Sequence, residues 1–80
     1  MPTNEELDII RHALTGGTGR EYRNHYCAAV EPGDLDHLMI LDMVRRGLMK
    51  AGRTINDGRA QYFHVTEEGR AALARGGAGA

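Results

Sequence analysis

Five apolar residues near the start of the chain share one helical face, namely Leu7, Ile9, Ile10, Ala13 and Leu14. Their spacing follows the 3.6-residue repeat of an α-helix. Thr3 and Glu6 stand three positions apart at the beginning of this stripe, which is the capping-box spacing of a helix start. A cluster of glycines at residues 16–19 ends the pattern. We therefore predict a first helix that begins after Thr3 and ends at these glycines.

Two further helices are predicted before the pattern changes. The segment 20–30 keeps its tyrosines on one side at helical spacing, so a short second helix is expected there. A Pro-Gly pair then breaks regular structure. Asp34 is a favourable N-cap residue, and a third helix is predicted from it to Arg46, with Gly47 as its C-terminal stop. Four apolar residues are expected to form the buried side of this helix: Ile40, Leu41, Met43 and Val44.

Two strands are predicted next, at residues 48–55 and 59–66, because the helical repeat gives way to alternation. The Asp57-Gly58 pair between them is a strong hairpin signal. In the second strand Phe63 and Val65 alternate with polar residues, and we expect both to face the core. The threonine that ends this strand is suited to cap a short last helix.

The predicted fold class is α+β, with three helices followed by a two-stranded β-hairpin and a short C-terminal helix. Eighty residues suit a single domain, placed here at residues 1–75. The Gly/Ala-rich residues 76–80 are expected to form a flexible tail. A chain of this length holds one modest core, without a deep, enclosed substrate cavity.

The formal net charge of −1 conceals a difference between the two halves of the chain. Residues 1–44 contain three arginines and eight acidic residues, whereas residues 45–80 contain seven basic and three acidic residues. One interpretation is that the two halves pair with each other when the chain folds back. The other is a domain with one acidic and one basic surface, which suits a charged protein partner better than a uniformly anionic duplex.

The histidines and the single cysteine form no recognisable catalytic or metal-binding motif. His25 and Cys27 have the wrong spacing for a zinc knuckle, and no second ligand pair follows at the usual interval. On the predicted second helix their side chains would point to different faces. We expect Cys27 to be a small buried residue, and we predict no enzymatic activity, no cofactor and no metal.

The chain shows no sign of export or membrane insertion. No apolar run approaches the roughly 20 residues of a membrane helix, and the N-terminus lacks the features of a secretion signal. A lone cysteine cannot form an internal disulfide, which fits a reducing compartment. These features predict a cytoplasmic protein without membrane contact, as a monomer or a small homodimer.

Two segments carry a resemblance to the winged helix-turn-helix superfamily: residues 47–49 (Gly-Leu-Met) and residues 62–73. The second resembles the wing exit of many bacterial winged-helix regulators, where an aromatic strand ends in Thr-x-x-Gly-Arg and a helix. The resemblance covers roughly residues 4–74 and implies a winged-helix-like fold. It leaves the function open, because winged helices bind DNA, RNA and proteins.

Residues 22–27 (Tyr-Arg-Asn-His-Tyr-Cys), taken with the same two segments, are similar to small proteins encoded by bacteriophages. Anti-CRISPR inhibitors are a prominent group among phage proteins of this size. The resemblance suggests an inhibitor of a type I-C CRISPR surveillance complex, acting in the host-cell cytoplasm. It implies a stoichiometric protein that occludes the nucleic-acid-binding face of the backbone subunits of that complex.

The third predicted helix argues against DNA as the ligand. In a winged helix this element enters the major groove, and its first turns usually carry Arg, Lys, Asn or Gln. Here Asp34 and Asp36 stand at those positions, where DNA phosphates would repel them. Leu35 and Leu38 would form an apolar patch with a charged rim if exposed, or would be buried against the second helix or the hairpin.

We therefore expect a protein partner, a subunit of a CRISPR effector complex. The alternative function is a small DNA-binding winged-helix transcriptional regulator that uses the arginines of the hairpin. The candidate partner-binding residues are eight charged residues of the second and third predicted helices and of the hairpin: Arg20, Arg23, Asp34, Asp36, Asp42, Arg45, Arg53 and Arg59.

Overall fold

The structure is a computed structural model that describes residues 2–78. Its elements follow the order helix, strand, helix, strand, strand, helix: α1 (Asn4–Thr15), β1 (Tyr26–Ala29), α2 (Leu35–Arg45), β2 (Met49–Ile55), β3 (Ala60–Val65) and α3 (Glu67–Ala78). The expected order of three helices before a two-stranded hairpin is therefore wrong. The fold is α+β, with three helices and a three-stranded antiparallel sheet of strand order β1-β3-β2.

The predicted second helix is replaced by an extended segment and β1. The backbone N–H groups of Tyr22 and Arg23 donate to the carbonyl of Leu14, at 3.0 and 3.1 Å, and the N–H of His25 donates to the carbonyl of Ala13 at 3.0 Å. The last carbonyls of a helix have no partner within the helix, so they bind these N–H groups. The following residues then pair with β3, and these non-local bonds outweigh the local helical pattern.

β3 is the central strand, and its alternation separates the two faces of the sheet. Phe63 and Val65 are buried on the inner face, as the sequence predicts. All three helices pack on that face, where Ile10, Ile40 and Met43 are fully buried with them. The opposite, outer face has no covering layer among residues 2–78, so the fold is a two-layer arrangement with one bare sheet face.

The hairpin between β2 and β3 turns through three residues in the left-handed region. Asn56, Asp57 and Gly58 have φ values of 53°, 57° and 84°. Asn and Asp tolerate this conformation better than other residues with a side chain, and glycine adopts it without a steric penalty. The predicted hairpin turn is confirmed.

The helix starts are capped as the sequence predicts. The Thr3 side chain accepts from the Glu6 N–H, and the Glu6 side chain accepts from the Thr3 N–H, which completes the capping box of α1. Asp34 Oδ1 accepts from the His37 N–H at 2.9 Å at the start of α2. Each cap satisfies backbone donors that have no partner inside the helix.

The Thr-x-x-Gly-Arg segment after β3 has a structural role at each of its three defining positions. Thr66 Oγ1 accepts from the Gly69 N–H at 3.1 Å and donates to the Gly47 carbonyl at 2.6 Å. A Cβ on Gly69 would lie 2.2 Å from the Leu48 carbonyl oxygen, so glycine permits the close approach of α3 to the residue that precedes β2. Arg70 forms an ion pair with Glu21 in the loop before β1.

Charge pairing between the two halves of the chain explains part of their charge difference. Arg46 pairs with Glu6, and Arg70 pairs with Glu21, so two basic residues of the second half neutralise two acids of the first. Glu6 is only 6% exposed. The fold-back interpretation is therefore correct for these residues, while other charges remain on the surface.

The C-terminal boundary differs in detail from the predicted tail. α3 runs to Ala78 and so includes the first three residues of the segment 76–80, whereas residues 79 and 80 lie outside the described part of the chain. None of the helices within residues 2–78 is both long enough and apolar enough to cross a membrane.

Replacing Glu6 with glutamine is expected to destabilise the fold. Glu6→Gln keeps an oxygen for the Thr3 N–H, but it removes the negative charge that Arg46 pairs with in a nearly buried position. We expect the free energy of unfolding to fall by about 1–3 kcal/mol, measured by urea titration with circular dichroism. Glu5→Gln is the matched control, because Glu5 is exposed in the same turn. Equal losses in the two variants would contradict the role of the pair.

Candidate binding surfaces

Three leucines of α2 form an exposed apolar surface, here called the α2 ridge. Leu35, Leu38 and Leu41 are 76%, 51% and 42% exposed. At 3.6 residues per turn they lie within about one third of the helix circumference. The expectation that Leu41 is buried is wrong, because Ile40 and Met43 occupy the core side of the helix. Of the two interpretations of Leu35 and Leu38, the exposed patch is correct.

Charged residues border the α2 ridge at both ends. Asp42 accepts a hydrogen bond from Arg45 and forms an ion pair with Arg46, whose Nε lies 2.9 Å from Asp42 Oδ2. The hydrogen bond from Arg45 is the main cause that holds the pKa of the Asp42 carboxyl below its ordinary value, with further contributions from the nearby Arg46. Asp36 is exposed in the first turn beside the Asp34 cap, so the N-terminal end of the ridge is acidic.

The bare face of the sheet carries a second candidate surface. His25, Arg53, Tyr62 and His64 line an open cleft of about 370 Å³, here called the sheet cleft. Tyr62 and His64 alternate with buried Phe63 in β3, so both side chains lie on the outer face. The cleft therefore joins three rings and a guanidinium on the side of the sheet opposite to the helices.

Asn24 positions one end of the sheet cleft. Its side-chain amide pairs with the backbone of Val65: Oδ1 accepts from the N–H at 2.7 Å, and Nδ2 donates to the carbonyl at 3.0 Å. The Asn24 carbonyl lies 2.8 Å from His64 Nδ1. A carbonyl can only accept, so Nδ1 carries the proton and Nε2 the lone pair in the neutral His64 ring.

A β-bulge brings Arg53 to the same face as Tyr62. Ala51 pairs with Phe63 and Thr54 pairs with Gln61, so β2 has one residue more than β3 between these pairs. The extra residue changes the alternation and turns Arg53 outward. Its guanidinium lies 5.7 Å from the centroid of the Tyr62 ring, within the range of a cation–π interaction.

Gly52, next to Arg53 in the bulge, makes room for the His64 ring. A Cβ at this position would lie 2.6 Å from His64 Nε2 and 3.0 Å from the Tyr62 carbonyl oxygen. The His64 ring therefore lies across β2 at a place where only glycine leaves sufficient space.

A second cleft of about 340 Å³ adjoins the first. It shares His25 and Tyr62 with the sheet cleft and extends to the edge of the sheet at β1, where its other lining residues are His12 of α1, Arg23, Tyr26 and Cys27. The two shared rings meet edge to face, with centroids 5.7 Å apart and planes at 89°. Arg23 is held at the edge of this cleft, since its Nη2 donates to the His12 carbonyl at 3.0 Å.

The expectation that Cys27 is buried is wrong. Cys27 is exposed on β1, and the second cleft is lined by both Cys27 and His25. The argument that His25 and Cys27 point apart assumed a helix. In an extended chain, residues two positions apart lie on the same face. Within residues 2–78, no group of three or more His, Cys, Asp or Glu side chains is placed to hold a metal ion.

The structure distributes the eight predicted binding residues over two surfaces and two isolated positions. Four belong to α2 and its cap, beside the α2 ridge: Asp34, Asp36, Asp42 and Arg45. Arg23 and Arg53 lie on the two clefts of the sheet. Arg20 is exposed in the loop before β1, and Arg59 is at the hairpin tip, where its Nε donates to the Asn56 carbonyl at 3.2 Å.

Sequence reasoning did not select the three rings His25, Tyr62 and His64 as functional residues. The signal for two of them was present, because Tyr62 and His64 occupy the positions of β3 that alternate with the core residues. His25 could not be added, since the segment that contains it was expected to be helical.

Comparisons with known proteins identify no relative of this chain. No family model matches, and neither the curated proteins nor the solved structures provide a match. The two surfaces are therefore evaluated by their geometry and chemistry.

Replacing Asn24 with aspartate is expected to weaken the attachment of this segment to β3. Asn24→Asp keeps the acceptor for the Val65 N–H. In the wild type the Val65 carbonyl accepts a hydrogen bond from Asn24 Nδ2, and in the variant a second carboxylate oxygen would lie against that carbonyl instead. We expect a loss of about 1–3 kcal/mol in the free energy of unfolding, measured by urea titration. Asn4→Asp at the exposed start of α1 is the matched control. A loss no larger than that of the control would contradict the pairing of Asn24 with β3.

Proposed function

We propose that this chain is a non-enzymatic binding protein that docks on a protein partner through the α2 ridge. The observation that carries the proposal is the exposure of Leu35, Leu38 and Leu41 side by side on one short helix. Contiguous apolar patches with a polar rim are typical of protein interaction sites. Fully burying a leucine side chain contributes roughly 1.5–3 kcal/mol, so a partner that covers the ridge gains substantial binding energy.

The charges around the ridge favour a partner with a basic rim. Asp36 is exposed beside the first leucine, and Asp34 adds a second carboxylate at the same end of α2. A protein surface built to hold nucleic acid is rich in Lys and Arg, so an acid-bordered helix complements it. The proposed partner is a type I CRISPR surveillance complex, type I-C by the phage-protein resemblance, whose nucleic-acid-binding face the chain would occlude.

A transcriptional regulator that reads duplex DNA has less support. Within residues 2–78 no helix lies directly before α2 to form a helix-turn-helix pair, since β1 and a loop separate α2 from α1. The aspartates at the start of α2 would also meet phosphates of like charge. The proposed place of action is the cytoplasm, that of the host cell for a phage-encoded protein, and the exposed Cys27 thiol is compatible with a reducing compartment.

The proposal predicts that polar substitutions on the α2 ridge abolish partner binding. In the double variant Leu35→Gln, Leu38→Gln, the charge is unchanged and glutamine is a good helix former. We expect wild type to co-elute with purified type I-C surveillance complex in gel filtration. The double variant should lose affinity on the order of 100-fold in biolayer interferometry, because two buried leucines are removed.

Ala74→Gln provides the matched control, because Ala74 is exposed on α3, outside the α2 ridge, and this variant should bind as wild type does. Failure of wild type to co-elute at low salt would overturn the assignment of the partner. Undiminished binding by the double variant would overturn the α2 ridge as the docking surface. A wild-type dimer in light scattering that becomes a monomer in the double variant would identify the ridge as a self-association surface instead.

A further inference from the structure

We propose that the outer face of the sheet binds single-stranded nucleic acid, with one nucleotide on each side of the Tyr62–His25 ring pair. The sheet cleft and the second cleft adjoin along these two rings, so together they form a trough across β1 and β3. This proposal concerns the outer face of the sheet and its edge at β1, where the second cleft reaches His12 of α1, and it does not depend on the α2 ridge.

The size of the trough suits nucleotide units. Its two parts have volumes of about 370 and 340 Å³, at the lower end of the range for small-ligand sites. Both parts are open to solvent along the sheet, so a chain can enter one and leave by the other. A duplex could not bind in this way, because its bases are stacked on each other and present no ring face to Tyr62.

The rings in the trough supply surfaces for base stacking. Tyr62 is half-buried and is held from two sides, by the edge-to-face contact with His25 and by the Arg53 guanidinium. His64 is held by the Asn24 carbonyl. Aromatic side chains fixed on a sheet surface stack with unpaired bases, and each stacked base contributes about 1–3 kcal/mol.

The charge of the trough complements phosphate. Arg53 lines one part and Arg23 the other, and Lys50 is exposed on β2 opposite His64. In the described part of the chain, neither cleft has an Asp or Glu side chain in its lining. Arg23 and Arg53 also take part in no ion pair with an acidic residue between residues 2 and 78. Each part of the trough thus has one arginine in its lining that can pair with a phosphate.

An acidic peptide would use only part of this surface. Its carboxylates could pair with Arg23 and Arg53, but the acidic side chains themselves offer no flat ring to place against Tyr62. The lining of the sheet cleft consists of rings and a guanidinium, without an aliphatic pocket for an apolar anchor residue. Nucleotides engage both the cations and the rings, so the observations favour nucleic acid over an acidic protein segment.

The test is a fluorescence anisotropy titration of the full chain with 5′-labelled eight-nucleotide oligo(U) and oligo(dT) at low salt. We expect wild type to bind both. Tyr62→Leu, which keeps an apolar side chain without a ring, should weaken binding roughly 10-fold, and Tyr62→Phe should restore it. Arg53→Gln should reduce the slope of log affinity against log salt by about one. The control Arg75→Gln changes an exposed arginine on α3 and should leave that slope unchanged.

Three results would overturn the proposal. The first is no change in anisotropy with either oligonucleotide at low salt. The second is equal affinity for a duplex of the same length, which would rule out recognition of unpaired bases. The third is a pair of observations: polyglutamate at the same charge concentration displaces the oligonucleotide, and Tyr62→Leu binds the oligonucleotide as well as wild type does. Together they would identify a general surface for acidic partners. Circular dichroism of each variant checks that the fold is retained.

Discussion

The attachment of the extended segment 22–25 is the constraint on which the rest of the structure depends. Its backbone donates to the last carbonyls of α1, and the Asn24 side chain pairs with Val65 at the end of β3. These bonds bring the end of α1 next to the central strand and align β1 with it. They thereby support the pairing of β1 with β3 and place His25 against Tyr62.

The two candidate surfaces lie on opposite layers of this small domain and differ in chemistry. The α2 ridge is aliphatic with an acidic end, whereas the trough on the sheet is aromatic and basic. The difference in charge between the two halves of the chain therefore has two origins. Part of it is neutralised by the nearly buried Glu6 with Arg46 and by the surface pair Glu21–Arg70, and part remains as separate surfaces.

The segments that carry the winged-helix resemblance have structural functions in this fold. Thr66 caps α3, Gly69 permits α3 to approach Leu48 before β2, and Arg70 binds Glu21. A resemblance based on such residues bears on how a strand is joined to a helix. It does not bear on which partner binds the α2 ridge, because none of the three leucines of that ridge belongs to these segments.

The sequence by itself determined the elements whose stabilising contacts are local. The capping box of Thr3 and Glu6, the Asp34 cap, the hairpin turn at residues 56–58 and the inward positions of Phe63 and Val65 could all be predicted, because each depends on neighbouring residues or on simple alternation. Tertiary structure alone decided the state of residues 22–29, since their backbone partners are contributed by α1 and β3. It also decided which leucines of α2 are exposed and that His25 joins Tyr62, because these depend on packing between segments distant in the chain.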